Sequence, residues 1–292
     1  MTEDPKLFGF AQLDFAGLLA VGDGRYVLRD GERERVLVLE TLGAPPPTRR
    51  RRRRAKEADS EAEPPTLPLT RTTLVRAFEP FSTTEEALRW VESSVVEEET
   101  VDRLLEEAIG ALNLALHGHA VASANPLPQA MTPHLAVAIR IGYGSGPEVA
   151  DGEFSAAREI DVRAGGGSRR QRHAEEMRPQ ERLAAALGGR ERFDACETLL
   201  LRARADLDAG RTREAALQLR VGLEALLAEL PDAVADPGHD EDMATIESRR
   251  QEAGDLANAA LTGDLDPTQL QVVDELLSTC ERVLRRRRVL RG

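Results

Sequence analysis

Residues 201–230 read LRARADLDAGRTREAALQLRVGLEALLAEL. Cys196, Leu199, Leu200, Ala203 and Leu207 recur at helical spacing up to Gly210, and Ala216, Leu219, Leu223, Leu226, Leu227 and Leu230 form a second stripe that stops before Pro231. A glycine just past a periodic run takes the left-handed conformation that closes a helix. Two amphipathic helices on so short a turn must lie antiparallel, which marks this half of the chain as a helical bundle.

The same pattern extends downstream. A third stripe runs through Ile246, Ala253, Leu256, Ala257, Ala260 and Leu261 to Gly263. A fourth helix opens at Asp266 with Pro267 in its first position and continues through Leu270, Val273, Leu277, Cys280 and Leu284. Residues 231–242, acidic and containing Pro and Gly, are expected as a loop. Upstream, Leu183 and Leu187 mark a short helix ended by Gly188-Gly189. Residues 177–292 therefore read as a bundle, preceded by a Gly-rich basic linker, 164–176, containing AGGGSRRQRH.

The first 163 residues follow a different rule. LFGFAQLDF, LLAV, RYVLR and VLVLETL, separated by Gly22-Asp23-Gly24 and Asp30-Gly31, predict an antiparallel meander. Residues 44–68 combine prolines with a charge block and almost no apolar side chain, so they are expected as a disordered Pro/Arg-rich linker or loop. Beyond it come the strand TTLVRAF and a capping box in Ser82-Thr83-Thr84-Glu85-Glu86 for a short helix through Trp90. A helix bearing Val101, Leu104, Leu105, Ala108, Leu112, Ala115 and Leu116, with Gly118 placed to end it, precedes the strand HLAVAIRIGYG. The fold class is α+β: an N-terminal antiparallel sheet with one or two helices, followed by a C-terminal all-α up-and-down helical bundle.

Composition narrows the function classes. The chain has 292 residues and 41% hydrophobic residues, but only seven Phe, one Trp and two Tyr, so the core must be Leu, Val and Ala. Two cysteines, Cys196 and Cys280, build neither a disulfide framework nor a four-cysteine zinc site and suit a reducing compartment. The N-terminus MTEDPKLFGF places acids before any apolar run, and no stretch approaches the length of a membrane span. A cytoplasmic protein without membrane contact is expected. The net charge is −12, from 39 basic and 51 acidic residues, a field that repels nucleic acid and anionic membrane. Against it stand two basic islands, Arg49 to Arg54 and the terminal RRRRVLRG.

Two local likenesses follow from the helix, Gly-Arg turn and Ala-rich helix of residues 201–230. AGRTREAA resembles the turn of a tetratricopeptide repeat, although the helix after it is long and no second copy occurs. The four-helix layout of roughly 190–290 resembles the HEPN (higher eukaryotes and prokaryotes nucleotide-binding) bundles. That resemblance implies RNA cleavage only through the family's motif of arginine, four to six residues, then histidine. The motif is missing: His239 is expected in a loop outside the bundle helices, with no arginine five to seven positions before it. The whole chain also resembles a family of uncharacterised actinobacterial (high-GC) proteins, through the LGAP strand end, RIGYGSG, VADG and RPQERLAAALGG. That likeness implies no activity.

Several constellations could carry chemistry. His117, His119 and His134 are candidate ligands for one zinc or iron ion, but two residues apart on a helix do not share a face, and histidines at a helix C-terminus already suit its dipole. Asn113, one turn before His117, could face a loop in the same polar stripe. Gly142-Tyr143-Gly144-Ser145-Gly146 follows a strand as a phosphate loop would, yet has neither dinucleotide fingerprint nor Walker pattern. Cys196 and Cys280 fall on apolar stripes, as core residues do. Arg49, Arg50, Arg51, Arg52, Arg53 and Arg54 could contact phosphates, but acids follow at once and no aromatic is interleaved for stacking. No catalytic motif and no cofactor fingerprint is recognisable. The leading expectation is a non-enzymatic interaction or scaffold protein that binds a protein partner or itself. A nucleic-acid-associated factor using the Arg-rich segments comes second and a metal-dependent enzyme third.

Overall fold

The computed structural model describes residues 6–30, 33–43, 67–126, 129–160, 182–190, 192–230 and 237–291, the backbone alone at 30, 237 and 288–291. The chain divides into two compact units, Met1–Gly166 and Gly167–Gly292. The Gly-rich stretch 164–176 and all of 44–68 except Leu67 and Pro68 lie outside the described residues.

The first unit is an antiparallel six-stranded sheet. Its strands are β1 (Leu7–Ala16), β2 (Gly24–Asp30), β3 (Arg33–Leu42), β4 (Leu69–Phe81), β5 (Ala136–Ser145) and β6 (Ala156–Glu159), in the order β2-β3-β4-β1-β5-β6. The expected pairing of RYVLR with VLVLETL is present, with β2 and β3 antiparallel from Asp30 opposite Arg33 back to Gly24 opposite Leu39. The expected meander is not: β1 lies between β4 and β5, and LLAV belongs to the loop after β1. The reason is in β1 itself, where Ala11, Leu13 and Phe15 alternate with Phe10, Gln12 and Asp14 and all six are buried. A strand buried on both faces belongs in the middle of a sheet.

One sheet face packs on two helices, α1 (Thr84–Val96) and α2 (Glu98–Ala122). Leu13, Phe15, Leu37, Leu74 and Ile141 meet Leu104, Leu105, Ala108, Leu112 and Leu116 of α2 in one core. The capping box forms, with Thr83 Oγ1 accepting from Glu86 N–H (3.2 Å) and Glu86 accepting from Ser82 N–H (2.9 Å), but α1 continues past Trp90 to Val96. Gly118 does not end α2, because Ala120 carries the buried stripe of Leu112 and Leu116 one turn further. The other face is covered in part by α3 (Gly146–Ala150) and the turn after it: Phe10, Val38 and Val75 lie under Val149, and Phe154 packs on Phe10 at 5.7 Å.

Among the described residues the second unit is an all-α bundle, as the helical stripes predict, with five longer helices where four were expected. They are α4 (Ala195–Asp208), α5 (Thr212–Glu229), α6 (Pro237–Ser248), α7 (Arg250–Thr262) and α8 (Pro267–Arg291), with a short helical segment over 182–187 before them. The α4–α5 turn is closed by Gly210 at φ +70°, with Arg211 N–H donating to Asp206 O (2.8 Å) and Gly210 N–H to Leu207 O (3.0 Å). A Cβ on Gly222 would stand 2.9 Å from Leu200, so the two helices approach closely there. The expected third helix is two. Pro237, favoured in a first helical position, starts α6 inside the expected 231–242 loop. Thr245 and Ser248 then turn their hydroxyls onto the carbonyls of Glu241 and Thr245, and the helix breaks at Arg249. Leu200, Leu219, Leu223, Leu226, Ile246, Val273, Leu277, Cys280 and Val283 form the common core. No described helix is long and apolar enough to cross a membrane.

Candidate interaction surface

The histidines of the first unit are not gathered. His117 and His119 lie on α2 about 200° apart around its axis, and His134 is exposed in a 3-10 turn, Pro133–Leu135. Among the described residues no group of three His, Cys, Asp or Glu side chains is placed to hold a metal ion. Asn113 does face a loop: its Nδ2 donates to Met131 O (3.0 Å), and Met131 N–H donates to its Oδ1 (2.7 Å). Arg49 to Arg54 lie outside the described residues.

The glycine-rich loop is filled from within. Gly142 and Gly144 finish β5, and the Glu148 carboxylate accepts from Ser145 N–H (2.7 Å), Ser145 Oγ (2.9 Å) and Ser155 Oγ (2.7 Å). These bonds, that from Ser155 foremost, hold Glu148 below the usual carboxylate range. A side-chain carboxylate thus occupies the amide and hydroxyl donors that a bound anion would need.

A polar cluster absent from the expectations sits on the partly covered sheet face. Asp14 accepts from Arg71 (Nε 2.8 Å, Nη2 3.1 Å) and Arg140 (Nη1 2.8 Å). Burial alone would raise its pKa, but the two guanidiniums outweigh it and leave the carboxyl below its ordinary value. Gln12 Nε2 donates to Thr73 Oγ1 (3.0 Å) and to Gly152 O (2.9 Å), Arg25 Nε donates to Ala150 O (2.6 Å), and Arg25 also pairs with Asp151. The cluster ties the 146–155 segment across four strands, and each of its three arginines has a carboxylate partner. Its only sequence signal is two polar residues, Gln12 and Asp14, on one face of an apolar strand. Their arginine partners follow from the strand register, which sequence does not supply.

The charged groups of the helical unit are similarly engaged. Glu229, at the end of α5, accepts from the N–H groups of Cys196 (2.9 Å) and Ala195 (3.2 Å) and so caps α4 from thirty-odd residues away. Burial, then the Glu229 carboxylate beside it, pushes the Cys196 thiol up to about 12, and burial does the same for Cys280. Both thiols are fully buried. Arg204 bonds Glu281 (2.8 and 3.0 Å), Asp274 (2.7 Å) and Ser278 (3.2 Å). Two arginines of the terminal basic run and one just before it serve α6 and α4: Arg282 and Arg286 hold Asp242 at 3.0 and 2.9 Å, and Arg287 lies 3.5 Å from Asp194. His239 is not in a loop but in the first turn of α6, 2% exposed, with no hydrogen-bond partner at Nδ1. The Gly-Arg turn also acts structurally, since Arg211 pairs with Asp206 and Arg213 caps the carbonyls of Ala260 (2.7 Å) and Leu261 (3.4 Å) at the end of α7.

Beside these networks stand exposed apolar side chains. Leu183 (49%), Leu187 (81%), Phe193 (53%) and Leu201 (72%) stand in solvent within twenty residues. Leu183 and Leu187 share a face of the 182–187 segment at i, i+4 spacing. Arg182 fixes that segment to α4, lying 5.1 Å over the Phe193 ring and 2.6 Å from Glu197, one turn before Leu201. Arg190, Arg192 and Arg202, in the same stretch of chain, are exposed and make no ion pair with a described residue. No protein-family profile, curated protein or solved structure matches the chain.

Proposed function

We propose that the chain is a non-enzymatic interaction protein whose helical unit docks a protein partner on the surface carrying Leu183, Leu187, Phe193 and Leu201. The observation that carries this reading is the exposure of all four side chains within nineteen residues of chain, in a unit whose other large apolar residues mostly fill one core. Burying an exposed Leu or Phe contributes about 1.5–3 kcal/mol. Four on one surface would make an exposed apolar patch of the kind that marks an interaction site. The ion pairs of the unit turn inward on its own helices, which fits scaffolding more closely than proton or group transfer.

The test compares proteins that co-purify with the full chain and with a Leu187→Gln/Leu201→Gln variant, which keeps helix propensity and leaves the core intact. A partner retained by the native chain and reduced at least tenfold by the variant supports the reading. An identical set of co-purifying proteins from both contradicts it.

A further inference from the structure

We propose that the chain pairs with a second copy of itself through β2, edge to edge and antiparallel, so that two six-stranded sheets join as one. This concerns the sheet unit alone and is independent of the docking surface on the helical unit. β2 closes one side of the sheet, paired with β3 and, on its other side, with no described strand. An unpaired strand edge is a row of N–H and C=O groups that templates another chain, and proteins ordinarily blunt it with shortness, proline, a bulge or a projecting charge. The opposite edge follows that rule, since β6 has four residues. β2 does not: it has seven residues and no proline, and it pairs with β3 without a register shift. Arg25 is turned back onto Ala150 O (2.6 Å) and Asp151, which leaves Tyr26 (37%) and Val27 (52%) exposed between it and Arg29.

Charge complementarity identifies the occupant. In an antiparallel pair, directly opposite residues share a face and interact. With Tyr26 on the two-fold axis, Arg29 stands opposite Asp23 of the second copy and Asp23 opposite its Arg29, while Leu28 meets Gly24 and Arg25 meets Val27. The Tyr26 ring lies over Gly24, 3.5 Å from where a Cβ would stand, so Leu28 of the second copy packs on that ring. Both ions are open to a new partner: Arg29 lies 3.6 Å from Glu34 with both side chains at least half exposed, and Asp23 accepts from the Thr41 hydroxyl (2.7 Å). Placing Val27 on the axis instead would set Arg25 against Arg29 at both ends, so charge selects the first register. An unrelated extended peptide would have to supply both charges at the right separation, whereas a second copy carries them already in place.

Sedimentation of the full chain from about 1 to 200 μM tests the pairing, at about 0.15 M salt to screen the −12 net charge of each copy. A monomer–dimer equilibrium is expected. Arg29→Asp sets acid against acid and weakens the dimer tenfold or more, and Asp23→Arg/Arg29→Asp restores it. A chain that stays monomeric over the whole range overturns the proposal, as does a dimer indifferent to Arg29→Asp in a protein still folded by circular dichroism. Cysteine cross-linking reads the register. Tyr26→Cys, opposite its own equivalent, forms a covalent dimer under mild oxidation, whereas Val27→Cys, about 7–8 Å from its equivalent, is out of disulfide reach. Cys196 and Cys280 are fully buried and do not compete. Cross-linking of Val27→Cys, or of neither variant, overturns the paired edge as described.

Discussion

Cys196 and Cys280 show how completely the bundle withdraws reactive groups from solvent. With both thiols fully buried and raised to about 12, neither is a thiolate at neutral pH. A thiol reagent such as dithionitrobenzoate should leave the native protein unmodified and titrate both cysteines after denaturation. Rapid reaction of either in the native state would contradict the burial. Because the folded pKa lies above the ordinary thiol value of 9.0, this stabilisation is complete below pH 9 and is lost as the pH rises towards 12. Asp14 runs the opposite way. Its folded pKa lies below the ordinary 3.8, so the stability it contributes is present above that pH and disappears as the solution is acidified through the folded value. Asp14→Asn leaves Arg71 and Arg140 without their carboxylate and should cost about 2–3 kcal/mol, less than a fully buried pair because both arginines remain about a fifth exposed. A urea midpoint unchanged at pH 7 would show that the network contributes nothing.

Two glycines separate local propensity from packing. Gly118 lies inside α2 with open space where a Cβ would stand, so Gly118→Ala should stabilise the protein by about 0.5–1 kcal/mol. Gly222 lies inside α5 with Leu200 2.9 Å from the same position, so Gly222→Ala should overpack the α4–α5 contact and destabilise by about 1–3 kcal/mol despite the gain in propensity. Thermal unfolding followed by circular dichroism gives both signs, and a shift in the same direction for the two would refute the close approach of α4 and α5. The cap between helices is a third element-scale test. Glu229→Ala frees two N–H groups at the start of α4 and should cost about 1 kcal/mol.

Across the whole molecule, legibility followed the range of the interaction. The α4 and α5 stripes, the Gly210 stop, the Thr83 capping box and the β2–β3 hairpin are decided by neighbours within a few residues, and all were readable from spacing. The place of β1 between β4 and β5 depends on pairing across more than fifty residues, and the gathering of Asp14, Arg71 and Arg140 depends on that pairing in turn. The break at Arg249 escaped notice because Ile246 and Ala253 stand seven residues apart, the interval an unbroken helix would also give. The exposed surface was hidden for a related reason: Leu183, Leu187 and Leu201 look in sequence like any other bundle leucine, and only the finished core shows which are left over. Hydrogen–deuterium exchange of the full chain, alone and saturated with the partner that co-purifies with it, tests that surface most directly. The account predicts slowed exchange confined to about residues 182–204, whereas protection centred on the sheet unit, or none anywhere, would contradict it.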